Sequence, residues 1–585
     1  MPRIYSALVG ALFCACCAAE TSTISGSDGA QARTTEQVEL PLLLPLPEAT
    51  TTEITAEDLH VRIKTLSDDA FEGRAPAAEN GEKTADWIAA EMARIGLRPG
   101  GENGSWFQTV GMVEQALDEA TSSLTFTDSA SGEVFPAELG QDAVLWSKQQ
   151  ALANLEFADS ELVFVGYGVV APEYGWDDYK DLDAKGKTVV MLVNDPGYAR
   201  EDELFKGKAM TYYGRWTYKF EEAARHGATG AIVIHETAPA SYGWDVVANS
   251  WSGAQADLVR SDGGAGRTKF EAWISEPQAR ALFGQAGLSF DRLKRRAKQQ
   301  GFEYVDMGDL TVSGRISQTV TQTESRNVLG VLPGATTPEE HVLFTAHWDH
   351  LGIKTGEKAG EPTQDFYRDE IFNGAVDNAG GIAAMLEMAE AMANEELDRS
   401  ALFLAVTLEE SGLLGSAFYA ENPTVPMNQI VAGINMDAIL PIGLTRDMIV
   451  IGYGASELED MLAAELAKSD RIIVPDQNPQ AGSFYRSDQV SFTRLGVPML
   501  YAKNGIDRLD GGVAAGRAFA QTYTTQRYHK PMDEYSDSWD LSGMEQDVMT
   551  LFNVAFQIAS STAWPTWYPG NEFEAVRQAS LAEKD

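Results

Sequence analysis

The chain has 585 residues, of which 44% are hydrophobic and 22% are charged. This composition is typical of a folded protein, and the length allows about two to four domains. With 86 acidic and 45 basic residues, the formal net charge is −41. A polyanion of this kind repels the phosphates of nucleic acids and of anionic membranes, so we expect neither as a partner.

The amino-terminal segment predicts an exported protein, periplasmic or extracellular. Residues 4–19 form a short apolar stretch that contains the chain's three cysteines, Cys14, Cys16 and Cys17. Because this stretch is shorter than a membrane-spanning helix, it indicates a signal peptide over residues 1–19 and no stable membrane span. The alternative is a lipoprotein anchored at Cys16. Removal of the signal would exclude thiolate catalysis and cysteine-bound zinc.

The rest of the chain divides into five predicted segments. Residues 20–50 are rich in Thr, Ser, Glu and Pro and indicate a flexible tether. Residues 51–149 and 321–565 would form two parts of one main domain. Residues 150–320 would form an insert without a cluster of catalytic residue types, and residues 566–585 a carboxyl-terminal tail.

The pattern of apolar residues predicts strands alternating with helices. In chain order we predict a helix that begins at Ile54, a helix over 83–95, strands over 162–166 and 188–193, a helix over 217–226, strands over 230–234 and 342–345, a helix over 379–394, strands over 401–408, 430–434, 448–451 and 497–501, and a helix over 544–559. Residues 401–408 are almost wholly apolar, as in a strand that is covered on both faces. The alternation predicts an α/β fold with helices on both sides of a sheet.

Residue types that are common in catalytic sites follow the predicted strands of the main domain. They are His347 and Asp349, Asp377, Glu409 and Glu410, Asp437, and the pair Tyr528 and His529. In open α/β sheets, sites form outside the carboxyl ends of the strands. We therefore expect these groups to converge.

Several carboxylates at one place require positive charge. Two like charges a few ångströms apart repel by about 4 kcal/mol at an effective dielectric constant near 20. Two divalent cations would remove this repulsion, with one histidine and one terminal carboxylate each and one bridging aspartate as the smallest ligand set. The chain supplies that set as His347, His529, Glu410, Asp437 and Asp377. The sequence thus predicts two zinc ions per chain.

Two further carboxylates remain beside these predicted ligands. Glu409 is a free carboxylate next to Glu410, in the place of a general base that takes a proton from water. Asp349 lies two residues after His347, where its carboxylate could accept the second imidazole N–H and fix the tautomer.

Five motifs, in this order, carry a family resemblance: His347-Trp348-Asp349, Gly374-Ala375-Val376-Asp377-Asn378-Ala379-Gly380, Glu409-Glu410-Ser411-Gly412-Leu413-Leu414-Gly415-Ser416, Asn435-Met436-Asp437 and Tyr528-His529. They resemble those of the M28 family of zinc exopeptidases, to which bacterial aminopeptidases belong. The resemblance covers residues of about 50–145 and 320–565, and the insert looks like a protease-associated domain.

The resemblance implies a fold and a reaction. The fold would be a mixed, mostly parallel sheet sandwiched by helices, with a β-rich insert. His347 and Asp437 would bind one zinc ion, Glu410 and His529 the other, and Asp377 would bridge them. Glu409 would be the general base and Tyr528 would stabilise the oxyanion, in an aminopeptidase that removes amino-terminal residues from peptide substrates. At Gln489 the family usually has histidine, which puts the local packing in question rather than the zinc site.

Three alternatives stay open. A glutamate-carboxypeptidase-like hydrolase on the same fold would use a basic residue, such as Arg486 or Arg494, to hold the substrate carboxylate. A glutaminyl cyclase would need one zinc ion, and the complete set of five ligands disfavours it. A metal-free binding relative would lack ligands, and none is missing here.

Overall fold

The computed structural model describes residues 42–583, except 49, 201, 203, 252 and 355–369. The predicted signal peptide, the cysteines and most of the predicted tether lie outside the described residues. Among the residues that the structure describes, no helix is both long enough and apolar enough to cross a membrane.

The main domain is built on a mixed sheet whose centre is parallel. The strands lie in the order Gln255–Leu258, Phe107–Leu117, Val305–Leu332, Arg399–Val406, Thr337–His347, Ile430–Asn435, Met499–Asn504, Asp447–Val450 and Ile472–Pro475. The four strands from Arg399–Val406 to Met499–Asn504 in this order are parallel to one another. The predicted α/β class and the predicted mixed, mostly parallel sheet are confirmed.

Helices cover both faces of this sheet. They are Ala56–Leu66, Glu79–Ile95, Gly380–Met392, Leu414–Glu421, Leu458–Ala467, Gln489–Thr493, Gly512–Gln526, Ser542–Ala559 and Glu574–Ala582. Thr55 caps the first of them by accepting a hydrogen bond from the Asp58 amide, as its position predicts. Gly96 ends the second in the left-handed conformation (φ 103°), which glycine adopts without strain. Every residue of Gly380–Met392 is buried.

A second sheet forms the inserted module. Its strands lie in the order Glu133–Ala137, Ser123–Asp128, Val305–Leu332, Asn154–Phe164, Thr188–Leu192, Gly230–Ile234, Phe270–Ile274 and Ala143–Trp146. The accompanying helices are Trp216–Arg225, Thr237–Ala240, Trp244–Trp251, Glu276–Gln285 and Phe290–Ala297. Short two-residue strands complete the fold at Arg98–Pro99, Val170–Ala171, Trp176–Asp177, Gly352–Ile353 and Ile371–Phe372.

The strand pairing changes the predicted boundaries of the insert. Three strands that precede residue 150 pair within the second sheet, so the module begins between Leu117 and Ser123 rather than at 150. The strand Val305–Leu332 pairs in the second sheet through residues 305–317 and in the main sheet from residue 318. One continuous strand therefore connects the two sheets across the predicted boundary at 320. The likeness to a protease-associated domain stays a prediction.

A buried ion cluster joins the first two helices to Gly380–Met392. The guanidinium of Arg62, which is fully buried, donates to the carboxylates of Glu91, Glu387 and Glu390. Nη2 of Arg62 and Oε1 of Glu91 are 2.9 Å apart. Breaking a buried ion network by removing one partner leaves uncompensated charge in a medium of low dielectric constant. This cluster therefore holds the three helices together.

Replacing Arg62 tests that role. We expect Arg62→Met to lower the free energy of unfolding by about 3–5 kcal/mol, because buried Glu387 loses its cation while Glu91 and Glu390 keep only Arg94. Lys64→Met is the matched control on the same helix, since Lys64 pairs with Asp537 at the exposed surface and should change stability little. Urea unfolding followed by circular dichroism measures both, and equal effects would contradict the argument.

Candidate metal centre

The predicted site residues meet at the carboxyl edge of the parallel strands. His347 is the last residue of Thr337–His347, and Asp437 follows Ile430–Asn435. Glu409 and Glu410 follow Arg399–Val406. Because Thr337–His347 lies between the other two strands and runs parallel to both, these ends lie side by side.

Asp377 and one histidine complete the group from loops. Asp377 lies in the turn that leads into Gly380–Met392 and is buried. His529 follows Gly512–Gln526, and its side chain is 37% exposed, so it borders on solvent.

Each histidine faces a different oxygen of Asp377. Nε2 of His347 lies 3.3 Å from Oδ1 of Asp377 and 3.6 Å from Oδ1 of Asp437. Nε2 of His529 lies 3.2 Å from Oδ2 of Asp377 and 3.2 Å from Oε2 of Glu410. The single carboxylate of Asp377 therefore separates two groups of donors, each with one imidazole and one further carboxylate.

His350 is a neighbour that sequence reasoning left without a role. Its Nδ1 lies 2.6 Å from Oε1 of Glu410, and it offers a donor atom within 4.8 Å of one oxygen each of Asp377 and Glu410. Its Nε2 is buried without a hydrogen-bond partner among the described residues. The signal in the sequence was a second histidine three residues after His347, beyond the end of the strand.

Asp349 has a different role from the predicted one. Nδ1 of His347 donates to the backbone carbonyl oxygen of Asp349, 3.1 Å away, and lies 3.8 Å from its carboxylate. The carboxylate instead accepts hydrogen bonds from the backbone amides of Glu409, at 3.1 Å, and Glu410, at 3.3 Å. The tautomer of His347 is thus set by a backbone oxygen, and the buried carboxylate holds the loop that carries both glutamates.

Glu409 and Tyr528 line an open cleft beside the two donor groups. The cleft has a volume of about 980 Å³ and is bordered by Glu410 and His529 as well as by side chains of the inserted module. The ring of Tyr528 stacks on that of His529, with centroids 3.9 Å apart. No hydrogen bond or ion pair is found for the side chain of Glu409 within the described parts of the chain, so its carboxylate remains available at the cleft.

The charges in the cluster show how strongly it favours a cation. Burial alone would lower the pKa of His529, but contacts with Asp377 and Glu410 raise it to about 10. Burial would also lower the pKa of His347, but Glu409, Asp377 and Asp437 raise it well above its usual value. Burial raises the pKa of Glu409 well above its usual value. Carboxylates that draw protons onto both imidazoles will also draw a divalent cation.

Two residues outside the predicted set hold the turn around Asp377. The buried guanidinium of Arg74 donates to the backbone oxygens of Trp348, at 2.8 Å, and Gly374, at 2.8 Å. The carboxylate of Asp533 accepts from the amide of Asp377 at 3.1 Å. These contacts connect distant parts of the chain. Arg74 ends the segment Ser67-Asp68-Asp69-Ala70-Phe71-Glu72-Gly73-Arg74, which resembles the start of the family's domain, whereas Asp533 lies in no such motif.

Gln489 fills the position at which the resemblance leads one to expect histidine. Its Oε1 accepts a hydrogen bond of 2.8 Å from Nδ2 of Asn435, the last residue of the strand that precedes Asp437. Oγ of Ser487 accepts a second bond of 2.8 Å from the same nitrogen. Gln489 thus supports the strand end, and it lies outside both donor groups.

The donor chemistry fits zinc. Imidazole nitrogen and carboxylate oxygen are common zinc ligands, and a carboxylate shared by two donor groups suits a pair of ions. The ion pairs of Asp377, Asp437 and Glu410 within the described residues are all with histidines, which are the side chains that coordinate when neutral.

Comparison with solved structures finds chains that are described as aminopeptidases. An aminopeptidase from Aneurinibacillus sp. strain AM-1 is 18% identical, with a TM-score of 0.46, over 87% of this chain and 95% of that chain. A zinc aminopeptidase from Bacillus subtilis is 17% identical, with a TM-score of 0.39, over 88% of this chain and 98% of that chain.

Comparisons with curated sequences and with family models also find similar proteins. A probable zinc metalloprotease from Pyrenophora teres f. teres is 29% identical over 112 residues, which are 19% of this chain and 22% of the relative. The match thus spans less than a quarter of that relative's length. Residues 327–552 match the model of Peptidase family M28, and every predicted site residue lies within this stretch.

Proposed function

We propose that the protein is a zinc-dependent exopeptidase, and specifically an aminopeptidase that acts on peptide substrates. The observation that supports this most directly is the placement of Asp377, whose two oxygens face His347 and His529 separately. The match to Peptidase family M28 over the same residues supports a peptidase.

Five side chains would hold two zinc ions. His347 and Asp437 would bind one ion, Glu410 and His529 the other, and Asp377 both. His350 would orient Glu410 through its contact with Oε1. When bound, zinc lowers the pKa of water and polarises a carbonyl oxygen.

Glu409 would move the proton during hydrolysis. Its carboxylate lies beside the donor groups at the cleft, and its raised pKa suits a group that must take a proton from water and then release it. Transfer of that proton to the leaving amine completes the cleavage of the peptide bond.

Tyr528 would stabilise the oxyanion. Stacking on His529 keeps the tyrosine ring beside the donor groups, and the phenol is a hydrogen-bond donor that can point at a tetrahedral intermediate.

The geometry leaves the carboxypeptidase-like alternative with one of its two candidate arginines. Arg494, one of its two candidate residues, pairs with Glu221 at 2.7 Å, while Arg486 has no carboxylate partner in the described part of the chain. Arg486 therefore keeps this alternative open, and the substrate panel below separates the two activities.

We propose export to the periplasm or beyond the cell, with a cleaved signal or a lipid anchor at Cys16. We also propose that the inserted module is a protease-associated domain that controls access, because its side chains form one wall of the cleft.

Zinc content tests the two-ion site. We expect two zinc ions per chain after dialysis against the metal, and Asp377→Asn should lose at least one because it removes charge from the shared ligand. Asp470→Asn, an exposed aspartate outside the site, is the control and should keep both. Plasma emission spectroscopy measures the ratio, and one ion in both the unaltered protein and Asp377→Asn would contradict the bridging role.

The role of Glu409 is tested by removing its charge alone. Glu409→Gln should keep its zinc and lose about 10²–10⁴-fold in kcat, since general-base catalysis contributes that much. Glu421→Gln, which changes another carboxylate of the same cleft, should retain its activity. Stopped assays with an amino-acid anilide measure both variants, and near-normal turnover by Glu409→Gln would refute the assignment.

Amino-terminal specificity requires a separate comparison. We expect hydrolysis of leucine anilide with a free amine, no hydrolysis of the N-acetylated anilide, and loss of activity in the presence of a chelator. Faster cleavage of N-blocked peptides at their carboxyl end would instead favour the carboxypeptidase-like hydrolase.

A further inference from the structure

The cleft beside the candidate metal centre is lined by many cationic side chains. Five of these are paired with acidic neighbours: Lys148, Arg225, Arg260, Arg267 and Arg494. In a chain with nearly twice as many acidic as basic residues, such pairing is the expected state of a cation.

Arg215 and Arg486 differ from these five. They line the same cleft, and neither forms an ion pair with a carboxylate among the residues that the structure describes. The side chain of Arg215 is half-buried, and its Nε is buried without a hydrogen-bond partner in the described residues. Arg486 is exposed to the cleft.

The guanidinium groups of Arg215 and Arg486 both interact with Tyr242. The guanidinium carbon of Arg486 lies 5.7 Å from the ring centroid of Tyr242. That of Arg215 lies 6.0 Å from the ring of Trp216, and its charge also interacts with Tyr242. Burial, and after it the positive charge of Arg486, lowers the pKa of Arg215 to about 10. Both guanidinium groups thus line one cleft without a carboxylate partner in the described part of the chain.

The position of the pair connects it to the reacting end of the cleft. Arg215 precedes the helix Trp216–Arg225 of the inserted module, whereas Arg486 belongs to the main domain. The residue after Arg486 is Ser487, which accepts a hydrogen bond from Asn435 at the strand end that leads to Asp437. The pair therefore has one member on each module.

We propose that Arg215 and Arg486 form a subsite for a carboxylate of the peptide substrate, an inference that rests on the proposed peptidase activity. The planar guanidinium binds a carboxylate through two parallel hydrogen bonds, and the unpartnered Nε of Arg215 supplies one donor. The carboxylate is either the carboxyl terminus of a short peptide or an acidic side chain near the scissile bond. The subsite would offset the repulsion that the acidic chain as a whole exerts on such substrates.

Matched peptides distinguish the two sources of the carboxylate. The pair Leu-Gly-Gly and Leu-Gly-Gly-amide differs in the terminal carboxylate, and the pair Leu-Glu-Gly-amide and Leu-Gln-Gly-amide differs in the side chain. We expect the zinc-loaded, unaltered protein to favour the charged member of one pair, which identifies the source.

Variants of the two arginines test the subsite directly. Arg215→Gln and Arg486→Gln should raise KM for the favoured charged peptide by about 10- to 100-fold, the value of one or two charge-assisted hydrogen bonds, and should change its neutral partner less than about twofold. Arg494→Gln is the matched control. Arg494 lies in the same cleft, and its partner Glu221 keeps a second cation, Arg225, at 3.8 Å when Arg494 is replaced. Because Arg486 is exposed, its variant keeps the test valid even where Arg215→Gln folds poorly.

Measuring peptide binding without turnover distinguishes a wrong subsite assignment from a wrong peptidase assignment. Calorimetric titration of the same four peptides into Glu409→Gln, with and without each arginine substitution, reports Kd without turnover. Hydrolysis of none of the four by the unaltered protein would count against the peptidase. Equal effects of an arginine substitution on both members of each pair, or no effect on either, would overturn the subsite whether or not hydrolysis occurs.

Discussion

The crowding of carboxylates at one edge of the sheet is the constraint on which the site depends. Asp377, Asp437 and Glu410 lie within contact of the same few imidazole nitrogens. The charge of buried Arg74 acts on Asp377 and Glu410, but its guanidinium donates its hydrogen bonds to backbone oxygens rather than to these carboxylates. The fold therefore brings carboxylates together without an arginine or lysine bonded to them. A metal centre needs this arrangement, because a salt bridge would occupy the oxygen atoms that could coordinate an ion.

The same constraint explains the contacts around the centre. Asp349 holds the loop of Glu409 and Glu410 by accepting from their amides, and Asp533 holds the turn of Asp377 in the same way. Hydrogen bonds from backbone amides stabilise buried carboxylates without using side-chain cations. Rigid support of this kind keeps like charges in place that would otherwise move apart.

Features that depend on residues close together in the sequence could be predicted, whereas contacts between residues far apart in the sequence could not. Strands such as Arg399–Val406 and caps such as Thr55 were predictable, because local periodicity and turn chemistry determine them. The convergence of the site residues followed from strand order alone. Its supporting contacts did not, since Asp533 reaches Asp377 across 156 residues with no motif to mark it.

The limits of the inserted module were not predictable for a related reason. Its first strand, Ser123–Asp128, is assigned to the module by its pairing with Val305–Leu332, which follows about 180 residues later. The strand Val305–Leu332 has no break in its pattern where it passes from one sheet to the other. Composition changes along a chain locate a module approximately, whereas hydrogen-bond pairing locates its edge.

The continuous strand Val305–Leu332 also connects the inserted module's side of the cleft to the main sheet. Because one strand belongs to both sheets, the wall that carries Arg215 is attached to the sheet that carries the metal ligands through backbone hydrogen bonds and not through a flexible linker. Desolvating a guanidinium without a counter-charge costs free energy, and a chain with a surplus of acidic residues could have supplied one at many positions. A cation of this wall that has no carboxylate partner among the described residues is best explained by an anion that arrives with the substrate.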